Sequence, residues 1–266
     1  VLAVVTVTTL ADTIDFNDGV TSLREAIFAT NTVPGADTIE FDASLFAEGP
    51  GTILLTLGQL VITDSLTING PGAHLLTIDA SGNDPTPDVK NGDGTRVFLI
   101  DDGIAQSLID VTIGGIKIKG GDTSGDGGGI YSLEQTTLRD VVVTENFAAS
   151  TSGRGGGIYH SGGPLTILRS EVSANAAGST AGGIWSSSTE STIEESSVIE
   201  NLARTGGGIA GTGSLLVRGS HVDRNEATNG GGGGIWANGV HVTIVGSTVD
   251  NNTASGRGGG IEMLRF

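Results

Sequence analysis

Short runs of Val, Ile, Leu and Thr recur along the chain, and each is broken within a few residues by Gly, Asp, Asn or Pro. Apolar and polar positions alternate inside these runs, which predicts half-buried β-strands. The runs fall at 4–10, 38–41, 52–55, 60–62, 66–68, 75–78, 97–100, 108–113 and 116–119. One segment breaks the pattern. Ser22 and Glu25 form a capping box, and Leu23, Ala26 and Ile27, with Phe28 alongside, give the helical spacing of an apolar face. Asn31 and Pro34-Gly35 stop this helix. A helix at that place is a physical means of covering the open apolar end and unpaired sheet edges of whatever follows.

From residue 126 the pattern becomes periodic. Ile130, Ile158, Ile184, Ile209, Ile235 and Ile261 each follow a glycine run, at separations of 28, 26, 25, 26 and 26 residues. Asn146, Asn175, Asn201, Asn225 and Asn252 stand 16 or 17 residues after the preceding isoleucine. Three residues before each asparagine is Val143, Val172, Val198, Val222 or Val249, and two after it is an alanine. Eight before each is an aliphatic residue: Leu138, Ile167, Ile193, Val217 or Ile244. Only the stretch from asparagine to the next isoleucine varies, between 8 and 12 residues.

A fixed period near 26 with three inward apolar stations predicts an all-β parallel β-helix, with three strands per turn. About ten coils at the ~4.8 Å spacing of neighbouring strands would make a rod of roughly 50 Å. The expected organisation is an N-terminal strand and capping helix over 1–36, irregular coils over 37–125, and regular coils over 126–266. The stacked asparagines read as structural, bonding between coils and to turn backbone.

Charge narrows the function. Thirteen basic residues stand against 30 acidic ones, for a formal net charge of −17. That argues against nucleic acid and anionic membrane as partners, since phosphate binding needs a basic footprint. No apolar run reaches the ~20 residues of a membrane span. The chain contains no cysteine, which removes thiol chemistry and disulfides. The apolar start, Val1 to Val5, reads as a first strand or as the stub left by processing. The regular coils run to Phe266 with no second cap in view, which suggests a longer parent protein or an end that stacks on another copy.

The Val-x-x-Asn-x-Ala and Gly-Gly-Gly-Ile motifs together resemble the repeats of the chlamydial polymorphic outer-membrane proteins. Those pair Phe-x-x-Asn with Gly-Gly-Ala-Ile. The block Thr21-Ser22-Leu23-Arg24-Glu25-Ala26-Ile27 resembles the opening of secreted bacterial right-handed β-helix proteins, with Thr21 where cysteine is common. The resemblance implies a right-handed β-helix, secretion, and a surface, adhesive or structural role.

Candidate chemistry is sparse. Tyr131, Tyr159, Trp185 and Trp236 are the only tyrosines and tryptophans, and all directly follow a repeat isoleucine. They form either an outward stripe for a glycan or another subunit, or a stack that contributes packing alone. Arg154, Arg204 and Arg257 precede glycine runs, where they would crowd the stripe and could hold an acidic polysaccharide. Asp140, Arg169 and Glu195 share one station, as do Glu194 with Arg218 and Glu200 with Arg224, which reads as ion-pair ladders between coils. Asp84, Asp88, Asn91 and Asp93, with Asp122 and Asp126, are oxygen-rich enough to make calcium a candidate ligand, although the spacing misses the EF-hand pattern. No other cofactor is expected. His74, His160, His221 and His241 have no metal or triad spacing. The reading is an extracellular structural or adhesive β-helix that self-assembles or engages a glycan. The competing readings are a polysaccharide lyase, a glycoside hydrolase and a carbohydrate-binding module.

Overall fold

The computed structural model describes residues 3–104, 107–239 and 241–264. Val1, Leu2 and Phe266 therefore lie outside the described residues. The chain winds into a parallel β-helix whose strands stack into one nine-stranded, two eight-stranded and one six-stranded sheet. The nine-stranded sheet sets the count at nine rungs, against the roughly ten expected. Every strand pairs in parallel with its counterpart one rung away.

The first sheet runs from Val4–Val7 to Val242–Val245, the second from Gly51–Leu54 to Thr248–Asp250, and the third from Leu60–Ile62 to Ile261–Leu264. A fourth was not foreseen. Its strands are two residues long, from Asp122–Thr123 to Thr253–Ala254, and its inward station in the repeats is the alanine after each asparagine. So short a strand carries no readable alternation, and only stacking gives it partners.

Register is set by identity: Ile158 pairs with Ile184, Ile167 with Ile193, and Val172 with Val198. The Ile, aliphatic and Val stations converge on one buried core running through the rod. At the last rung Val242, Ile244 and Val249 are half-buried and Ile261 is exposed, because no further described strand covers them.

Asparagine fixes the corner after the second sheet. The backbone N–H and Nδ2 of Asn146 both donate to Oδ1 of Asn175 at 3.0 Å, and Asn175, Asn201 and Asn225 repeat the arrangement with Asn201, Asn225 and Asn252. Nδ2 of Asn201 also donates to the Val172 carbonyl at 2.9 Å. A second file runs beside it, in which the N–H of Ser170, Ser196 and Ser220 donates to Oγ of Ser196, Ser220 and Ser247.

The glycine run is required for three separate reasons, seen at residues 206–208. Gly206 has φ +63°, a left-handed conformation that favours glycine. A Cβ on Gly207 would lie 2.5 Å from the backbone of Glu226, and one on Gly208 would lie 2.7 Å from the Gly234 carbonyl oxygen. The next rung thus approaches too closely for any side chain. In the one shortened run, Ala181 takes the left-handed position with φ 60°.

At the N-terminal end the helix α1 (Leu23–Thr32) lies across the first rungs. The capping box is present, with the Glu25 N–H donating to Ser22 Oγ at 3.1 Å and the Ser22 N–H donating to Glu25 Oε2 at 2.8 Å. Leu23, Ala26 and Ile27 are buried against the core, whereas Phe28 is exposed and pairs with Phe16 instead. The strand expected over 4–10 ends at Val7, because the Thr8 N–H leaves the sheet to bond the Thr21 carbonyl. Among the described residues no helix is long and apolar enough to cross a membrane.

Candidate functional site

Alternation along each third-sheet strand directs the residue after the repeat isoleucine away from the core. Tyr131, Tyr159, Trp185, Ala210, Trp236 and Glu262 therefore form one file on the outer wall, paired rung by rung. These aromatics belong to a cluster separate from the main core. The rings of Tyr131 and Tyr159 stack with centroids 4.9 Å apart and planes 12° apart.

The file is not an open platform along its length. Tyr159 and Trp185 are each only 7% exposed, while Tyr131 and Trp236 are half-buried. Ala181, Ala210 and the neighbouring rings cover part of them, and Arg154 adds a lid. Its guanidinium lies 4.8 Å from the Tyr159 ring centre and 5.1 Å from that of Trp185, a cation–π arrangement, and is anchored on Asp126 at 2.8 Å. Arg96 sits over Tyr131 at 5.1 Å and donates to the Asp126 carbonyl and to Gln59. Sequence reasoning missed Arg96, because it lies outside the regular repeats and meets Tyr131 only through stacking of rungs. Arg204 and Arg257 do not join this cluster. Both are exposed and, among the described residues, form no ion pair.

The acidic turn is partly assembled. Carboxylate oxygens of Asp84, Asp93 and Asp122 come within 4.8 Å of one another. Asn91 lies alongside, donating through Nδ2 to Asp93 and through its backbone N–H to Asp122. Burial pushes Asp122 up from the ordinary carboxylate value, and burial with the charges of Asp93 and Asp122 does the same to Asp84. Asp88 is left out on the exposed loop, and Asp126 is taken by Arg154. A second group, Asp101, Asp102 and Glu134, also converges; no local spacing signalled it.

The charge ladders are present in part, since Glu195 forms no ion pair among the described residues. Arg169 donates through two nitrogens to both oxygens of Asp140 at 2.9 Å, Arg224 meets Glu200 at 2.9 Å, and Arg218 reaches Glu194 at 3.8 Å. The Arg169 bonds hold Asp140 below the usual carboxylate range. All these pairs are well exposed, so they contribute little to stability.

His160 lies inside the coil with no exposure. Its Nε2 is 2.8 Å from the Glu134 carbonyl oxygen, which makes Nε2 the protonated donor, and its Nδ1 is buried without a partner. Burial lowers its pKa to about 4, against the smaller opposing effect of the Glu134 carbonyl.

No protein-family model, curated protein or solved structure matches the chain. The resemblance to the polymorphic outer-membrane and secreted β-helix proteins rests on the repeat motifs and the N-terminal block, and the structure adds to it the parallel β-helix alone.

Proposed function

We propose that this chain is a rigid extracellular or cell-surface rod with a structural or adhesive role, which engages copies of itself or a glycan through its aromatic wall. The observation that carries this reading is the ordered file from Tyr131 to Trp236, clamped by Arg96 and Arg154 on a sheet locked rung to rung. Half-buried Tyr and Trp on a rigid support offer contact area at low entropic cost. The competing reading, a polysaccharide lyase or hydrolase, needs carboxylates free of arginine partners; Asp140, Glu194 and Glu200 are each engaged by an arginine of a neighbouring rung, which leaves the groups at Asp84, Asp93 and Asp122 and at Asp101, Asp102 and Glu134 as the places to test it.

In light scattering and glycan-array measurements, the purified chain is expected to associate with concentration or to bind a glycan. Tyr131→Ala combined with Trp236→Ala is expected to weaken that contact about tenfold or more. A monomer at every concentration that retains no glycan would sink the proposal, and release of sugar fragments from a polysaccharide would replace it with an enzymatic one.

Calcium at Asp84, Asp93 and Asp122 belongs to the same reading, since a divalent cation would relieve the mutual repulsion of these carboxylates. Millimolar calcium chloride is expected to raise the melting temperature, and a chelator to reverse the rise. Asp122→Asn should abolish the response. A melting curve indifferent to calcium would remove this site.

A further inference from the structure

Away from the aromatic wall, where the first sheet turns into the second, lies a groove of about 720 Å³. It is a shallow trough open to solvent, so a ligand there would lie along the sheet. One rim is the turn Gly72-Ala73-His74; the floor carries Lys117, Val142 and Glu171, and the corner carries Asp140, Arg169 and Glu195. Lys117, Val142, Glu171 and Ser197 are paired partners in four successive strands. Three strand steps at ~4.8 Å give a track of about 14 Å, long enough for a short oligosaccharide.

The charges along this track are unequally satisfied. Arg169 is committed to Asp140 through two hydrogen bonds. Glu171 receives one bond from Ser173 Oγ at 2.6 Å. Lys117, by contrast, has no carboxylate within ion-pair distance among the described residues, although its neighbour Lys119 has two. Glu195 likewise has no ion-pair partner among the described residues. The groove therefore offers one uncommitted ammonium at one end and uncommitted carboxylate oxygens at the other.

We propose that this groove binds a carboxylated sugar, an oligosaccharide containing uronate, with the uronate carboxylate on Lys117 and ring hydroxyls donating to Glu195, Glu171 and Asp140. A ligand must bring an anion for Lys117, and a charge-assisted hydrogen bond is the strong kind. It must bring hydroxyl donors for the acids, because ionised carboxylates only accept. A phosphate would carry a second negative charge beside Asp140, Glu171 and Glu195, which argues against it. A divalent cation would meet the charges of Lys117 and Arg169. A monoanion rich in hydroxyls meets both demands.

The corner supplies a clean variant. Glu195 has φ 49°, and the equivalent station is glycine in the next rung, Gly219, and in two more distant ones, Gly115 and Gly246, with φ of 54°, 63° and 59°. Glu195→Gly removes the carboxylate while relaxing the backbone, so lost binding cannot be ascribed to lost folding.

Calorimetric titration of the full chain with trisaccharides that carry a single terminal galacturonate, mannuronate or guluronate residue, beside neutral galactose and mannose trimers, tests the assignment. At least one uronide is expected to bind about tenfold or more tighter than its neutral counterpart. Lys117→Gln should weaken that binding by about tenfold, Glu195→Gly should weaken it with an unchanged or higher melting temperature, and Arg224→Ala, outside both the groove and the aromatic wall, should leave it intact. Failure of every uronide to bind would overturn the proposal. So would equal binding of neutral and acidic trimers, or uronide binding unaffected by Lys117→Gln.

Discussion

Asn201→Ala is expected to destabilise the rod by about 3 kcal/mol or more, measured as the shift of the urea-denaturation midpoint converted through the slope. The side chain is 1% exposed, and its removal orphans several groups at once. The N–H and Nδ2 of Asn175 lose their shared acceptor, and the Val172 carbonyl loses a donor. Each buried polar group left without a partner costs about 1–3 kcal/mol. The lost interactions lie on both sides of the rung, since Nδ2 of Asn201 also donates to Asn225, so the loss reaches both neighbouring coils. Arg224→Ala provides the contrast. Its partner Glu200 is exposed, and the half-buried Asp223 keeps a hydrogen bond from Asn251, so removing Arg224 should leave the midpoint almost unchanged. Equal effects of the two substitutions would contradict the assignment of the asparagine file as the structural spine.

Lowering the pH through the window from 6.5 to about 4 should remove about 3 kcal/mol of stability that depends on His160 alone. The folded pKa lies below the unfolded one, so folding favours the neutral ring. Its contribution is complete above pH 6.5, where neither state is protonated. It falls as the unfolded chain takes up a proton that the folded chain refuses, and is exhausted below about 4. The cause is geometric: Nε2–H is already donated to the Glu134 carbonyl, and a proton on Nδ1 would be a buried charge without an acceptor. Carboxylates titrate nearby, with Glu134 pushed up by its own burial, so the measurement is the difference between the native chain and His160→Gln. That difference should shrink on acidification. A constant difference from pH 7 to pH 4 would show that His160 titrates normally or not at all.

What could be read from the residues follows from what recurs. Val198, Asn201 and Ile209 have counterparts at the same spacing in the other regular coils, so their stations and the helix axis were legible without coordinates. The serine file was equally available, since Ser170, Ser196, Ser220 and Ser247 each stand five residues before an asparagine. Single-copy partnerships were not legible. Arg96 meets Tyr131 and Lys117 shares a groove with Glu195 through stacking of separate coils, and no repeated spacing along the chain announces either meeting. The variable loop hid the difference between Arg154, which folds back over two rings, and Arg204, which does not.

Pairing of like with like at the inward and asparagine stations makes the molecule's length a quantised quantity. A whole repeat, such as the one from Ile184 to Asn201 and on to Ile209, presents the same donors and acceptors on its two faces. It can in principle be excised or duplicated with these files still meeting their own kind, changing the rod by one strand spacing of about 4.8 Å. Reach can thus vary in lineages or designs by copying a unit, without any contact being invented. The surface each unit carries can diverge freely in the one loop that the ladders do not constrain.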